Sequence, residues 1–370
     1  MKRSIHLVAA ARPNFMKVAP LYHALVREPW CNPVLVHTGQ HYDPEMSGVF
    51  LDELGLPKAH IHLGVGSGSH AEQTAAVMVA YEKACLQKRP DWVVVVGDVN
   101  STLACTLVAK KLFIPVAHLE AGLRSGDRTM PEEINRIVTD ALADVLWTPS
   151  SDANENLKRE GVAEERIQFV GNIMMDSYEF MRGKIAAEKT AGSIGVEPRQ
   201  YGVITLHRPS NVDDSGTLGK LVETLSEIGS LIDLVFPIHP RTRQRLQSFG
   251  LMERLIHAKG IRLLEPLGYV RFMSLVQDSA LVITDSGGIQ EETTYLGIPC
   301  LTLRNTTERP ITITQGTNRL VSPETVMEEV RRALTGDWQT TVRPHLWDGH
   351  TAGRVVASLR SCCAVALPKW

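Results

Sequence analysis

Short apolar runs recur along the chain, each followed by small or polar residues and then by a stretch of helical character. In the first half these runs are Ile5–Ala11, Val34–Thr38, Trp92–Gly97, Val116–Leu119 and Val145–Thr148. In the second half they are Gly202–Leu206, Leu234–Ile238, Ile261–Leu264, Leu281–Thr284 and Pro299–Leu303. Runs that are apolar on both faces are typical of parallel strands covered by helices. The pattern therefore predicts an α/β chain with two doubly wound, Rossmann-like sheets.

A polar, helical stretch follows Phe169-Val170-Gly171-Asn172 and contains no strand candidate before Tyr201. We therefore expect an N-terminal domain over 1–171 and a C-terminal domain over 172–353. The final amphipathic segment, 354–370, is expected to return to the N-terminal domain. Ligands collect at the carboxyl ends of strands in open parallel sheets. Two such sheets predict a cleft, lined by the polar residues that follow each strand.

Composition narrows the possible partners. The 370 residues carry 39 Lys plus Arg against 41 Asp plus Glu, a net charge of −2, so no bulk field attracts nucleic acid or an anionic membrane. The first apolar run stops at Arg12, and no stretch approaches the roughly 18 apolar residues of a membrane span. The six cysteines show no CxxC spacing. We expect a soluble cytoplasmic protein without disulfides, zinc or another metal.

A candidate phosphate loop follows one buried strand of the second half. Leu281–Thr284 leads into Asp285 and then Ser286-Gly287-Gly288, before a predicted helix over Ile289–Leu296. Paired glycines let a phosphate approach the backbone, and the N–H groups of a helix start favour an anion. Taken alone, the sequence fits a tight turn with an N-cap serine equally well. Glu291 and Glu292 then fall in the first turn, as surface charges or, for Glu292, as an acceptor for ribose hydroxyls.

Charged residues also end the strands of the first half. Arg12 closes the first strand and Lys17 lies about one turn further on, and two cations at a helix start indicate an anionic ligand. Asp98 ends the third strand, where simple capping is the commoner role. Glu120 ends the fourth strand.

Glu132 and Arg136 lie i,i+4 on one face of a predicted helix that opens at Pro131. For this pair alone a solvated salt bridge is the favoured interpretation. Together with Asp98 and Glu120, however, Glu132 makes a set of carboxylates that converges on the predicted cleft. Crowded carboxylates have separated pKa values, as acid and base catalysis requires.

The second half supplies further candidates at strand ends. His207 with Arg208 and His239 with Arg241 end two successive strands, and Arg309 follows a third. The segment Pro266–Phe272, with Leu267, Tyr269 and Phe272, predicts either an aromatic wall of the site or core packing.

Six motifs occur in register along nearly the whole chain. They are Arg12…Lys17, Gly97-Asp98, His118-Leu119-Glu120-Ala121-Gly122-Leu123-Arg124, Pro131-Glu132-Glu133-x-Asn135-Arg136, Asp285-Ser286-Gly287-Gly288-x-Gln290-Glu291-Glu292 and Thr307-Glu308-Arg309-Pro310. The set resembles the non-hydrolysing UDP-N-acetylglucosamine 2-epimerases. This resemblance implies a GT-B type fold, a UDP-sugar substrate, no nicotinamide or other cofactor, and a homodimer.

The resemblance also implies roles. UDP would be held by Arg12, Lys17, His207, Ser286 to Gly288 and Arg309, its ribose by Glu292 and its uracil by the segment from Leu267 to Phe272. Asp98, Glu120 and Glu132 would be the acid and base residues, with Arg136 and His207 in support. Asp98 and Glu120 would also bind the substrate. The implied reaction eliminates UDP to a glycal and adds it back, so that the configuration at C2 of UDP-N-acetylglucosamine is inverted to that of UDP-N-acetylmannosamine.

Some positions depart from the family pattern. Asn14 stands where many members have glutamate, and Pro209 follows His207-Arg208 in place of arginine. The residues Tyr42-Asp43-Pro44 after Gln40-His41, and the loop Gly64–Ser69, do not match the contacts of substrate-activated members. UDP-glucose or a modified UDP-sugar stays open as substrate. The sequence is also compatible with a hydrolysing 2-epimerase, a GT-B glycosyltransferase or a non-catalytic nucleotide-sugar sensor.

Overall fold

The structure, a computed structural model, describes residues 2–39, 51–338 and 342–364. The chain divides into two compact units, Met1–Phe180 with His345–Trp370, and Met181–Pro344. The division falls inside the helix Ile173–Glu188, which begins just after the predicted boundary at 171. Within the described residues, no helix is both long and apolar enough to cross a membrane.

The first unit is built on a parallel sheet. Its strands are β1 Arg3–Ala9, β2 Cys31–His37, β3 Ile61–His62, β4 Trp92–Val96, β5 Val116–Leu119, β6 Val145–Thr148 and β7 Ile167–Phe169. Its helices are Arg12–Val26, His70–Gln87, Asn100–Lys111, Pro131–Leu142, Ser151–Arg159 and Thr351–Ala364, with a 3₁₀ turn at Glu164–Arg166, and the helix Ile173–Glu188 begins in this unit. The strand order is β3-β2-β1-β4-β5-β6-β7, so successive strands are added on one side of β1 up to β3 and on its other side from β4 onward. The switch point lies between β1 and β4. At such a switch point the connections leave in opposite directions and open a crevice at the carboxyl ends of the strands.

The second unit repeats this design. Its strands are β8 Tyr201–Thr205, β9 Asp233–Pro237, β10 Ile261–Leu264, β11 Leu281–Thr284, β12 Cys300–Leu303 and β13 Asn318–Val321. Its helices are Thr190–Ser193, Pro209–Val212, Ser215–Gly229, Pro240–Ser248, Met252–Ile256, Tyr269–Gln277, Gly287–Leu296, Ile311–Thr314 and Val326–Leu334. The parallel order β10-β9-β8-β11-β12-β13 places the switch point between β8 and β11. The prediction of two doubly wound α/β sheets is confirmed.

Each sheet has its own apolar core. In the first unit the valines of β4, Val93 to Val96, are at most 1% exposed, and in the second unit Val282 and Ile283 of β11 are fully buried. Helices cover both faces of these central strands, which is why the strands read as unbroken apolar runs. The strands without such a run, β3, β7 and β13, lie at or near the ends of the sheets and are partly exposed.

The C-terminal helix belongs to the first unit, where it packs against the helix Arg12–Val26. The Asp176 carboxylate accepts hydrogen bonds from the N–H groups of Thr351 (3.0 Å) and Ala352 (2.8 Å). These two N–H groups have no partner inside their own helix, so Asp176 caps it. The indole of Trp347 donates to the Pro149 carbonyl at 2.9 Å. The first unit is thus assembled from both ends of the chain.

Candidate active site

Lys17 and Glu120 form an ion pair at the carboxyl edge of the first sheet. Lys17 lies on the helix after β1 and Glu120 directly follows β5. Gly97, at the end of β4, lies between them: a Cβ built on it would be 3.5 Å from both Lys17 Nζ and Glu120 Oε2. Gly97 has a φ of +68°, which glycine adopts without strain. The strand ends therefore bring Lys17, Asp98 and Glu120 to the switch point of this sheet.

Glu120 has an unusual conformation. Its φ is +72°, in the left-handed region, where a residue with a side chain stores about 1–3 kcal/mol of strain. Its side chain is buried, with 5% of the residue exposed. While Oε2 meets Lys17, Oε1 has no hydrogen-bond partner among the residues that the structure describes. A strained residue with an unsatisfied buried carboxylate oxygen is typical of a ligand-binding position.

Asp98 pairs with Arg136, which also pairs with Glu133. The Asp98 side chain is 34% exposed, whereas Arg136 and Glu133 are buried. Glu133 further accepts hydrogen bonds from the backbone N–H groups of Ser125 and Gly126, each at 3.0 Å. Burial would raise the pKa of the Glu133 carboxyl, but these N–H groups and the Arg136 guanidinium lower it overall. The sequence interpretation gave Arg136 the wrong helical partner, Glu132, and missed Glu133.

The sequence favoured a solvated salt bridge between Glu132 and Arg136. This prediction is wrong, because Arg136 is buried. Glu132 itself is half-buried in the first turn of the helix Pro131–Leu142. Asp98 is also not the N-cap residue of the helix Asn100–Lys111, because that position is occupied by Val99. The side chain of Arg12, and the residues Gln40 to Pro44, lie outside the described part of the chain.

A buried histidine, His118, lies next to the turns that carry Asp98 and Glu120. His118, in β5, is fully buried, with Nδ1 2.6 Å from Asp140 Oδ1 and Nε2 2.8 Å from the Gly97 carbonyl oxygen. Asp140 also accepts from the Gly122 N–H (3.0 Å) and from Arg124 Nη1 (2.7 Å). Burial would raise the pKa of Asp140, but the groups of His118 and Arg124 lower it overall. The sequence did carry a signal for this cluster: a histidine in a strand that is buried on both faces must find polar partners.

In the second unit, the candidate phosphate loop begins at Ser286. The helix starts at Gly287 rather than at Ile289, so both glycines lie in its first turn. Ser286 is the N-cap residue, but its side chain makes no cap hydrogen bond. A Cβ on Gly288 would meet no described atom within 4 Å, whereas a Cβ on Gly287 would lie 2.7 Å from atoms of Arg309 and Glu308. The open side of Gly288 leaves room for a ligand at the helix start.

Arg309 is enclosed by carboxylates. It pairs with Glu308 and, at 2.9 Å, with Glu291, while Arg304 reaches Glu308 at 2.8 Å. All four side chains are less than one-tenth exposed. Burial would raise the pKa of Glu308, but the two arginines hold it far below its ordinary value. The interpretation of Glu291 as a surface charge is therefore wrong.

Glu292 is buried too, and it lies in the second turn of the helix rather than the first. The Tyr269 hydroxyl donates a hydrogen bond to it at 2.8 Å. Burial raises the pKa of Glu292 to about 8. Leu267 precedes Tyr269 and Phe272 follows it, and both are half-buried. This segment and Glu292 are thus joined through Tyr269.

His207 is anchored by Asp285, whose role the sequence interpretation missed. His207 Nδ1 lies 2.8 Å from Asp285 Oδ1, and the backbone N–H groups of His207 (3.0 Å) and Arg208 (2.8 Å) donate to the same carboxylate. The His207 side chain is 42% exposed, whereas Asp285 is fully buried. Burial would raise the pKa of Asp285, but its contact with His207 and these N–H groups lower it overall. The ring of His239 lies 5.6 Å from that of His207.

Comparisons with known proteins place this arrangement in a family. A family model described as UDP-N-acetylglucosamine 2-epimerase matches residues 23–360. The chain is 44% identical to the UDP-N-acetylglucosamine 2-epimerase of Methanocaldococcus jannaschii, over 87% of this chain and 88% of that protein. It is also 40% identical to the UDP-2,3-diacetamido-2,3-dideoxy-D-glucuronate 2-epimerase of Pseudomonas aeruginosa, over 88% of this chain and 91% of that protein.

A solved structure agrees with the sequence comparisons. The crystal structure of the Methanocaldococcus jannaschii UDP-GlcNAc 2-epimerase in complex with UDP-GlcNAc and UDP matches with a TM-score of 0.87 and 39% identity, covering 97% of this chain and 99% of that one. The likeness confirms the predicted fold class, two Rossmann-like α/β domains of the GT-B type. The family match, the relatives and the solved structure agree: the chain belongs to the UDP-N-acetylglucosamine 2-epimerase family.

Proposed function

We propose that this protein interconverts UDP-N-acetylglucosamine and UDP-N-acetylmannosamine by inversion at C2 of the sugar. The proposal rests on Glu120, a buried and strained carboxylate paired with Lys17 beside Asp98, in a chain of this family. A carboxylate with one unsatisfied oxygen among the described residues has a lone pair to offer a substrate proton. The cation beside it steadies the charge that changes during transfer.

The proposed reaction has two halves that balance. In the first, a carboxylate takes the proton from C2 while the C1–O bond breaks, and its electron pair leaves with UDP. The product is a glycal with a C1–C2 double bond. In the second half UDP adds back to C1, and an acid protonates C2 from the opposite face. Asp98, Glu120 and Glu132 are the proposed acid and base residues, with Arg136 holding Asp98 in place.

The second unit is proposed to hold UDP before and after bond cleavage. The N–H groups at the start of the helix Gly287–Leu296 would bind the diphosphate, and the half-exposed His207 would add a donor. Glu292 would accept the ribose hydroxyls, and the segment from Leu267 to Phe272 would contact the uracil. Three cations are proposed to stabilise the charge of UDP, and they are Arg12, Lys17 and Arg309. Lys17 and Arg309 are also paired with carboxylates.

A second substrate has specific support. The 40% identity to an epimerase of UDP-2,3-diacetamido-2,3-dideoxy-D-glucuronate is close to the 44% identity to an epimerase of UDP-N-acetylglucosamine. Both names describe reactions at C2, so the choice concerns the groups at C3 and C6. We keep the modified UDP-sugar as the second candidate substrate.

The test is incubation in deuterated water, followed by NMR of the product. UDP-N-acetylglucosamine, UDP-glucose and UDP-2,3-diacetamido-2,3-dideoxy-D-glucuronate are each supplied alone. We expect UDP-N-acetylmannosamine with deuterium at C2. Epimer without deuterium would overturn the proton-transfer mechanism. Free UDP with free N-acetylmannosamine would instead identify a hydrolysing enzyme. If no UDP-sugar reacted alone, a second incubation with an added acceptor would follow, and turnover there would identify a glycosyltransferase.

We also propose a homodimer in the cytoplasm. The dimer rests on the family resemblance alone, and sedimentation of the purified protein tests it. The cytoplasmic location is supported by the free thiols, four of which are buried. Such thiols fit a reducing compartment.

A further inference from the structure

His118 has acceptors at both ring nitrogens. Nε2 lies 2.8 Å from the Gly97 carbonyl oxygen, and Nδ1 lies 2.6 Å from Asp140 Oδ1. A carbonyl oxygen can only accept, so Nε2 must carry a hydrogen. The ring is fully buried, which leaves no water to satisfy either nitrogen differently.

The state of Asp140 decides the second nitrogen. Its carboxylate also receives the Gly122 N–H at 3.0 Å and Arg124 Nη1 at 2.7 Å, both of which are donors only. Both of these donors meet Oδ2, and the ion pair with the Arg124 guanidinium there favours the ionised carboxylate over the protonated one. The hydrogen between Nδ1 and Asp140 therefore belongs to His118.

We propose that His118 is a buried imidazolium and that His118 with Asp140 forms a positioning pair for the acid and base residues. The pair bridges two turns at the same sheet edge. Through Nε2 it holds the Gly97 carbonyl, which directly precedes Asp98. Through Asp140 it holds the Gly122 N–H, two residues after Glu120.

This bridge explains how Glu120 keeps its strained backbone. A φ of +72° persists only where the surroundings fix it, and the Gly122 and Arg124 contacts to Asp140 fix the turn that follows Glu120. The same pair fixes the turn that carries Asp98. The distance between the two carboxylates is then set by a charged hydrogen-bond bridge, which is shorter and stronger than a neutral one. This role rests on the proposed function of Asp98 and Glu120.

Paired variants separate the two hydrogen bonds. His118→Gln can place its amide nitrogen near the Nε2 position and keep the bond to Gly97, while His118→Asn can place its nitrogen near Nδ1 and keep the bond to Asp140. Asp140→Asn removes the charge. His6→Gln is the matched control, because His6 is also a buried histidine of this sheet, bonded to the Tyr81 hydroxyl at 3.1 Å and remote from the strand ends.

We expect kcat of the His118 variants to fall about 100-fold, as misplacement of reacting groups does, with KM little changed. His6→Gln is expected to keep both constants even if its melting temperature drops. Glycal and free UDP should accumulate in the His118 variants, because reprotonation requires the second carboxylate in place. Folded His118 variants that keep wild-type kcat would overturn the positioning role.

A spectroscopic measurement works without activity and on the wild-type protein. With ¹⁵N-labelled histidine, His118 should show a directly bonded hydrogen on each ring nitrogen, and Asp140→Asn should lose one of them. A single ring N–H in the wild type would overturn the imidazolium. If the wild-type protein failed to epimerise any UDP-sugar, the proposed function would be wrong. The ¹⁵N spectrum would still decide independently whether His118 is an imidazolium.

Discussion

The carboxyl edges of the two sheets have the same topology and opposite chemistry. At the first edge, Glu120 and Asp98 each meet one cation, and one oxygen of Glu120 has no described partner. At the second edge, Arg309 is enclosed by Glu291 and Glu308, and the groups proposed to face the ligand are the backbone N–H groups around Gly288. A switch point therefore supplies a crevice but not its chemistry. The first edge is suited to moving protons, and the second to holding an anion by the main chain.

The comparison is tested most strongly at Glu120. Glu120→Gln keeps the size of the side chain but removes its basicity, so kcat for epimerisation should fall about 10²- to 10⁴-fold, the usual contribution of a general acid or base. Product formation by NMR measures this loss. Glu164→Gln, in the same unit, changes a carboxylate that is 79% exposed and should leave kcat unchanged. Activity in Glu120→Gln equal to that control would refute the assignment of the first edge.

Most of the first edge could be read from the sequence because strand ends were recognisable. The ends of β4 and β5 follow unbroken apolar runs, and Asp98 and Glu120 come directly after them. The partners were not readable. Whether Arg136 meets Glu132 or Glu133 depends on which helix face is buried, and both spacings are compatible with one face.

The second largest effect is expected at Glu308, on the stability of the second unit. Glu308→Gln removes the carboxylate that Arg304 and Arg309 both contact, and disrupting a buried ion pair in this way typically lowers the free energy of unfolding by about 3–5 kcal/mol. Chemical denaturation measures it. Glu265→Gln breaks an ion pair of the same unit in which the glutamate is 80% exposed, and should change stability by less than about 1 kcal/mol. Equal effects in the two variants would mean that the network around Arg309 is not what distinguishes this edge.

The raised pKa of Glu292, at the second edge, predicts that the free energy of unfolding depends on pH. Burial raises its pKa from 4.5 to about 8, so between these values the folded protein holds a proton that the unfolded chain releases. The free energy of unfolding should therefore fall as pH rises from 4.5 through 8, by an amount on the order of a few kcal/mol. Glu292→Gln should flatten this slope, as seen in denaturation curves across that range. A slope that is the same in both proteins would show that folding does not raise the pKa of Glu292.

The second edge was harder to predict because its charged residues are buried, whereas charged residues in a sequence are normally expected at the surface. From the sequence, Glu291, Glu292 and Arg309 read as surface or ligand-binding groups, yet all of them are buried. The hydrophobic pattern hid this, since the helix Gly287–Leu296 contains few large apolar residues and still lies inside the unit. Its polar residues are buried because they satisfy one another, as Gln290 does by accepting from Thr307 at 2.7 Å and from Asn318 at 3.0 Å. Such reciprocal bonding links distant parts of the chain and leaves no local signature.

The smallest expected effects are at the two glycines of the phosphate loop, Gly287 and Gly288. The structure gives a different reason for glycine at each of these positions. A methyl group at Gly287 would meet Arg309 and Glu308 at 2.7 Å, so Gly287→Ala should lower the free energy of unfolding by about 1–3 kcal/mol through overpacking. A methyl group at Gly288 points into open space, so Gly288→Ala should be as stable as the wild type or up to about 1 kcal/mol more stable. Its UDP affinity, measured by calorimetric titration, should still fall because the methyl group occupies the space proposed for the diphosphate. If Gly288→Ala bound UDP like the wild type, the anion would have to lie elsewhere, and the backbone N–H groups around Gly288 would not be the groups that bind the diphosphate.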